Sequence, residues 1–217
     1  MSLRPGLVTE PILLQVPDAA GMLHWAEVFG NDNPVELEIG SGKGTFLLRS
    51  AQTWRDRNFI GIEWAKAYAE FAADRLRRHN CLNARMVHAE ALWWLRCHVP
   101  DNSLDALHVY FPDPWPKSRH HKRRLIQPFF LQHAHRMLRP GGQIKIVTDH
   151  AGYFQHIEDV FQSQTLLPLT PFVSPLVGAQ PLEDISEEQP LLVGSNFERK
   201  YIRENRPFYS IAAQKPM

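Results

Sequence analysis

Glu38-Ile39-Gly40-Ser41-Gly42-Lys43-Gly44 places an acid directly before a GxGxG loop. Glycines at that spacing let the backbone turn sharply and come close to a ligand. The spacing is not the GxGxxG of a dinucleotide site, and Lys43 is followed by glycine where a P-loop needs Ser or Thr. Two more acids, Glu63 and Glu90, stand where the second and third strands are expected to end. Three carboxylates at the carboxyl ends of adjacent strands suit a ligand that is cationic at one end and carries a ribose and a purine at the other. S-adenosylmethionine has that form. Glu38 would face its charged end, with Gly40 and Gly42 beneath it. Glu63 would accept from the ribose hydroxyls, and Glu90 would meet the adenine edge.

A second loop, Tyr110-Phe111-Pro112-Asp113-Pro114-Trp115-Pro116-Lys117, follows the fourth predicted strand. Three prolines fix φ and stiffen it, and Asp113 between two of them would face the transferable methyl group. The loop is not the Asn/Asp-Pro-Pro-Tyr type that acts on exocyclic amines. It also holds no Pro-Cys for nucleophilic attack on a pyrimidine. Five of the eight residues from Lys117 to Arg124 are Lys or Arg. Crowded cations leading toward a helix N-terminus repel one another and the helix dipole, and phosphates relieve both. The neighbouring His120 and His121 have no partner acids or cysteines, so no metal site is implied.

These loops require elements to hold them. Val35–Ile39, Asn58–Ile62, Ala84–Val87, Leu104–Tyr110 and Gln143–Thr148 read as strands. Thr45–Ala51, Lys66–His79, Glu90–Cys97, a segment from Pro128 to a stop at Arg139–Gly142, and Ala151–Gln162 read as helices. Within Lys66–His79, Ala67, Phe71 and Leu76 are expected near one face. Phe208–Ala212 is expected to return as a last strand. Strands alternating with helices imply a Rossmann-like α/β fold: a mainly parallel doubly wound sheet with an antiparallel C-terminal strand. With 217 residues, 44% of them hydrophobic, the chain reads as one domain over 1–217. It has a mixed N-terminal extension at 1–33 and a Pro-rich acidic loop at 164–194.

Net charge is +1, so any nucleic-acid role must come from local clusters such as 117–124. Cys81 and Cys97 lack paired spacing, which fits a reducing compartment. No run approaches the ~18 apolar residues of a membrane span. The expected location is cytoplasmic, with no metal, and the chain is expected as a monomer or homodimer without an obligatory partner chain.

The motifs 38–44, Gly61-Ile62-Glu63, 111–117, His121-Lys122-Arg123-Arg124 and Thr148-Asp149 resemble, in this order, those of bacterial tRNA (guanine-N7-)-methyltransferases. Pro-Asp-Pro-Trp-x-Lys followed by Lys-Arg-Arg is specific to that family; the glycine loop is not. The resemblance implies a class I S-adenosylmethionine-dependent fold, S-adenosylhomocysteine as product, and methylation of N7 of guanine 46 in the tRNA variable loop. It implies that Glu38, Glu63, Glu90 and Asp113 bind cofactor, and that Asp113 is also catalytic. Lys117 and Asp149 then match substrate positions, and Arg119, Lys122, Arg123 and Arg124 fall in the RNA-contact segment. The family's Thr-x-(Phe/Tyr)-Glu appears as Ser195-Asn196-Phe197-Glu198. Two departures are the missing basic arm at the N-terminus and the composition of 164–194. Guanine N7 is an unprotonated lone pair, so the protein's task is orientation and electrostatics. Asp113, Asp149 or Glu198 could accept from guanine N1–H and N2–H, which adenine does not offer.

Overall fold

The computed structural model describes residues 6–15, 21–177 and 191–217. Its elements are α1 (Trp25–Phe29), β1 (Val35–Ile39), α2 (Thr45–Thr53), β2 (Asn58–Glu63), α3 (Lys66–Arg78), β3 (Ala84–His88), α4 (Ala91–His98) and β4 (Leu104–Tyr110). A 3-10 turn (Ser118–Arg123) precedes α5 (Pro128–Met137), β5 (Leu138–Thr148), α6 (Ala151–Gln162), β6 (Leu169–Thr170), α7 (Asn196–Arg203) and β7 (Tyr209–Gln214).

The strands form one sheet in the order β3-β2-β1-β4-β5-β7-β6. β1 pairs parallel with both β2 and β4, while β7 runs antiparallel to β5 and β6. The order reverses between β1 and β4, and a ligand cleft in such sheets opens at that switch point. Val35, Leu37 and Ile39 pack with Leu107, Val109, Ile144 and Ile146 against α4, α5 and α6. On the β2–β3 half, α2 and α3 bury Leu47, Leu48, Ala69, Ala72, Ala73 and Leu76.

Four local expectations need correction, and the N-terminal extension proves to be packed in part. The buried stripe of α3 is Ala69, Ala72, Ala73 and Leu76, whereas Ala67 is exposed. The N-terminal extension is partly ordered: Ile12 is fully buried, Leu13 bridges Met86, and Met86 N–H donates to the Ile12 carbonyl at 2.8 Å. An open β3 edge would otherwise expose unpaired backbone. α5 stops at Met137, and β5 starts at Leu138, with an irregular register between Leu104 and Ala106 absorbing Arg139–Gly142. The basic run forms its own 3-10 turn and does not lead straight into α5. Within 164–194, Leu169–Thr170 is a strand, and Leu167, Leu176 and Val193 are buried. Residues 178–190 of that loop lie outside the described residues.

Candidate active site

A two-lobed cleft, 420 and 400 Å³, opens at the carboxyl ends of β1, β2 and β4. Gly40, Gly42, Tyr68, Tyr110 and Phe197 line both lobes. One lobe adds Glu63, Glu90, Asp113, Trp115 and Arg123; the other adds Glu38, Lys43, Ser195, Asn196 and Lys200. The sequence motifs 38–44, 63, 90, 111–115 and 195–197 therefore converge. Lys117, Arg119 and Lys122 lie outside the cleft, exposed on the turn beside it.

The glycine loop turns in the left-handed region, with φ of 78° at Gly40 and 53° at Gly42. A Cβ at either would meet no atom within 4 Å, so the space above them is open cleft and the backbone alone demands glycine. Glu63 anchors this loop: its carboxylate accepts from Gly42 N–H and Ala65 N–H, both at 2.8 Å.

Glu38 is 3% exposed, and its Oε2 has no hydrogen-bond partner. Burial pushes its pKa up to about 8; Glu63's charge acts the same way, and Ser41 opposes it. An unpartnered buried carboxylate on the wall of an open cleft is a site for a cation. The donor set thus fits S-adenosylmethionine: Glu38 for the positive end, Gly40 and Gly42 beneath it, and Glu63 toward the ribose.

The reaction loop is held by unusual backbone. Phe111 has φ of 53° and Trp115 of 43°, conformations that bulky residues adopt only when surroundings enforce them. Phe111 packs edge-on against Tyr201 and Phe208, each 5.5 Å between ring centroids. Arg123 lies 5.0 Å over the Trp115 ring. Asp113 between them is exposed, and its carboxylate makes no hydrogen bond among the described residues.

Five more of the expected ligand residues already hold protein partners. Glu90 is the N-cap of α4, accepting from Leu92 N–H at 3.0 Å and Trp93 N–H at 2.7 Å. Each oxygen accepts once, as those of Glu63 do, so lone pairs remain on the cleft side that Glu90 borders. Arg124 is 5% exposed; it donates to the Pro114 carbonyl at 2.9 Å and lies 5.0 Å over the Tyr153 ring. From there it braces the loop that carries Asp113. Glu198, 1% exposed and off the cleft wall, accepts from Leu192, Val193 and Gly194 N–H and so holds the backbone before α7. Ser195 caps α7 through Glu198 N–H at 3.1 Å. Asp149 pairs with Arg206 at 3.0 Å, and Arg206 stacks 4.5 Å from the Tyr201 ring. Asn196 and Phe197 remain exposed on the cleft wall.

One group went unseen in the sequence. Glu36, 6% exposed, accepts from Arg57 at 2.6 Å and contacts His108 Nε2 at 2.8 Å; His108 Nδ1 meets the Tyr110 hydroxyl at 2.7 Å. Burial pushes Glu36 upward, but His108 and Arg57 outweigh it and hold its pKa near about 2. Burial keeps His108 low despite Glu36, so the ring is neutral. With Glu36 an acceptor only, Nε2–H donates to its carboxylate, and Nδ1 accepts a hydrogen bond from the Tyr110 hydroxyl. This chain fixes Tyr110 where the two lobes meet. The signal was available: Glu36 and Glu38 alternate in a central parallel strand, where both faces are covered.

Among the described residues, no group of three His, Cys, Asp or Glu is arranged to hold a metal, and no helix is long and apolar enough to cross a membrane. The strand order, the glycine loop and the acid-lined switch point define a Rossmann-like class I S-adenosylmethionine-dependent methyltransferase. A 30S ribosomal A1408 methyltransferase from an uncultured bacterium shares this fold, with TM-score 0.57 and 17% identity, covering 88% of this chain and 92% of that one. Residues 32–210 match the family model described as "Putative methyltransferase". A tRNA (guanine-N(7)-)-methyltransferase of Rhodopirellula baltica is 33% identical over 97% of this chain and 77% of its own length. That of Alkalilimnicola ehrlichii is 38% identical over 70% of this chain, and the match spans 64% of that relative. The chain belongs to the tRNA (guanine-N(7)-)-methyltransferase family.

Proposed function

We propose that this chain, acting as a single cytoplasmic domain alone or as a homodimer, methylates N7 of a guanine at position 46 in the tRNA variable loop. The observation that carries this reading is the Asp113 carboxylate, unpartnered on a stiff loop between the cofactor lobes and a basic turn. S-adenosylmethionine supplies a methyl group on a cationic sulfur. The chain supplies placement. Glu38 neutralises the positive ligand, Glu63 and the glycine loop seat its ribose, and Tyr110 forms the floor. Asp113 accepts from the guanine N1–H and N2–H edge and stabilises positive charge as N7 is alkylated. No proton leaves N7, so no base is required. Asn196 and Phe197 close the far side over the base. The test is direct: incubate the protein with labelled S-adenosylmethionine and unmodified tRNA, then map the product. N7-methylguanosine in the variable loop supports the reading. Label at another atom or on no RNA sinks it.

Lys117, Arg119, Lys122 and Arg123 would hold backbone phosphates and read no base. Each alanine substitution at a true phosphate contact should lower the salt slope of tRNA binding by about 0.7–0.9. Arg124→Ala should behave differently. It should leave that slope unchanged, lower the melting temperature, and reduce turnover by loosening the Pro114 carbonyl that Arg124 holds. A slope loss for Arg124→Ala equal to the others would contradict its bracing role.

A further inference from the structure

The first turns of α4 and α5 carry chemistry that methyl transfer does not use. Trp93 on α4 is 42% exposed and Phe129 on α5 is 46% exposed. α4 follows β3 and α5 follows the loop after β4, so both helices start at the carboxyl edge of the sheet, where the cleft opens. Arg96, exposed, lies 5.7 Å from the Phe129 ring centre, and His133 meets that ring edge-on at 4.4 Å. Gln127 donates to the His121 carbonyl at 3.1 Å, tying the start of α5 to the basic turn. Trp93 and Arg96, three positions apart on α4, share a helix face, Phe129 lies beside Arg96, and Gln127 links this strip to the turn that carries Arg123. The strip returns to the cleft at Ala91, since Arg123 and Ala91 both line the same lobe.

Its charge is one-sided. Arg96, Lys117, Arg119, Lys122 and Arg123 are all exposed on these elements, and α4 beyond its cap holds no acid. A protein partner would be met by a continuous apolar groove. Here separate aromatic faces alternate with cations, the arrangement that takes unpaired nucleotides by stacking and phosphate pairing. We propose that this rim binds the unpaired RNA nucleotides flanking the target base, with Trp93 and Phe129 stacking on bases and Arg96 pairing with phosphate. The inference rests on tRNA being the substrate.

The experiment measures binding of unmodified tRNA across a series of salt concentrations, for the wild type and for Trp93→Ala, Phe129→Ala, Phe129→Leu and Arg96→Gln. The leucine variant keeps apolar volume if alanine destabilises α5. Loss of a stacking ring should weaken binding by roughly 5- to 100-fold with the salt slope unchanged. Arg96→Gln should reduce the slope by about 0.7. S-adenosylhomocysteine affinity should be unaltered in all four. Wild-type tRNA affinity in every variant overturns the inference and leaves the proposed function standing. Absence of tRNA binding by the wild type overturns the reading beneath it. Self-association that Trp93→Ala abolishes, with tRNA binding intact, assigns the strip to a second copy and overturns the proposal.

Discussion

Glu38→Gln is expected to abolish most cofactor binding while making the free protein more stable at alkaline pH. The free carboxylate is buried without a partner on Oε2, and its folded pKa of about 8 lies above the ordinary 4.5. A raised acid pKa means the folded chain holds a proton that the unfolded chain has released. Stability of the free protein therefore falls as pH rises from about 4.5 to 8, and stays reduced above that. Each pKa unit corresponds to about 1.4 kcal/mol, so the penalty is several kcal/mol, and glutamine removes it. A cationic ligand reverses the shift. S-adenosylmethionine should bind with release of a proton near pH 7, and its affinity should climb with pH until about 8 and then level. Calorimetry in buffers of differing ionisation enthalpy reads that proton. If no proton is released, and Glu38→Gln binds the cofactor as tightly as the wild type, the carboxylate does not face the ligand's charge.

Asp113→Ala should lower turnover by about 10²–10³, the usual effect of removing a preorganised electrostatic group. tRNA binding, carried by phosphate contacts on the basic turn, should stay near normal. Asp113→Asn should recover part of the loss if hydrogen-bond geometry to guanine dominates, and little if charge dominates. Because N7 carries no proton, single-turnover methylation in the wild type should not follow one deprotonation near neutral pH. A steep rise with one ionisation that disappears in Asp113→Asn would make Asp113 a general base and replace this mechanism.

The alternating strands and helices were legible because apolar runs and glycine stops are local signals. The convergence of 38–44, 63 and 111–115 was legible because parallel sheets place strand ends together. What stayed hidden was the use of each side chain. Arg124 reads as one more cation in a run of five, yet it alone of the Arg and Lys residues in the 3-10 turn and its cap folds back onto Tyr153 and the Pro114 carbonyl. Glu198 sits in a family motif, but it is buried and binds three backbone N–H groups of its own loop. Glu90 follows a strand, as an adenine ligand would, and also begins a helix, where a carboxylate satisfies orphan donors. Periodicity cannot separate such competing uses, because they are settled by rotamers and by contacts remote in sequence. The packing of the N-terminal extension gave no local signal, because its partner, Met86, belongs to a distant strand.

The position of β1 bears on how the chain comes to exist. Among the described strands it comes first in sequence, yet it lies inside the sheet, with β4 as one neighbour. Its Glu36–Ile39 edge pairs with a strand that follows β2 and β3 in sequence, and closing so long a loop is a slow kind of contact to form. The cofactor cleft needs β1, β2, β4 and finally the start of α7, so no early intermediate offers a complete binding site. Ligand binding then favours only the finished molecule, adding about 2.7 kcal/mol at a hundredfold excess over Kd. In a cell, the supply of S-adenosylmethionine would act as a late check on the fold, holding completed chains out of reach of proteases that clear unfinished ones.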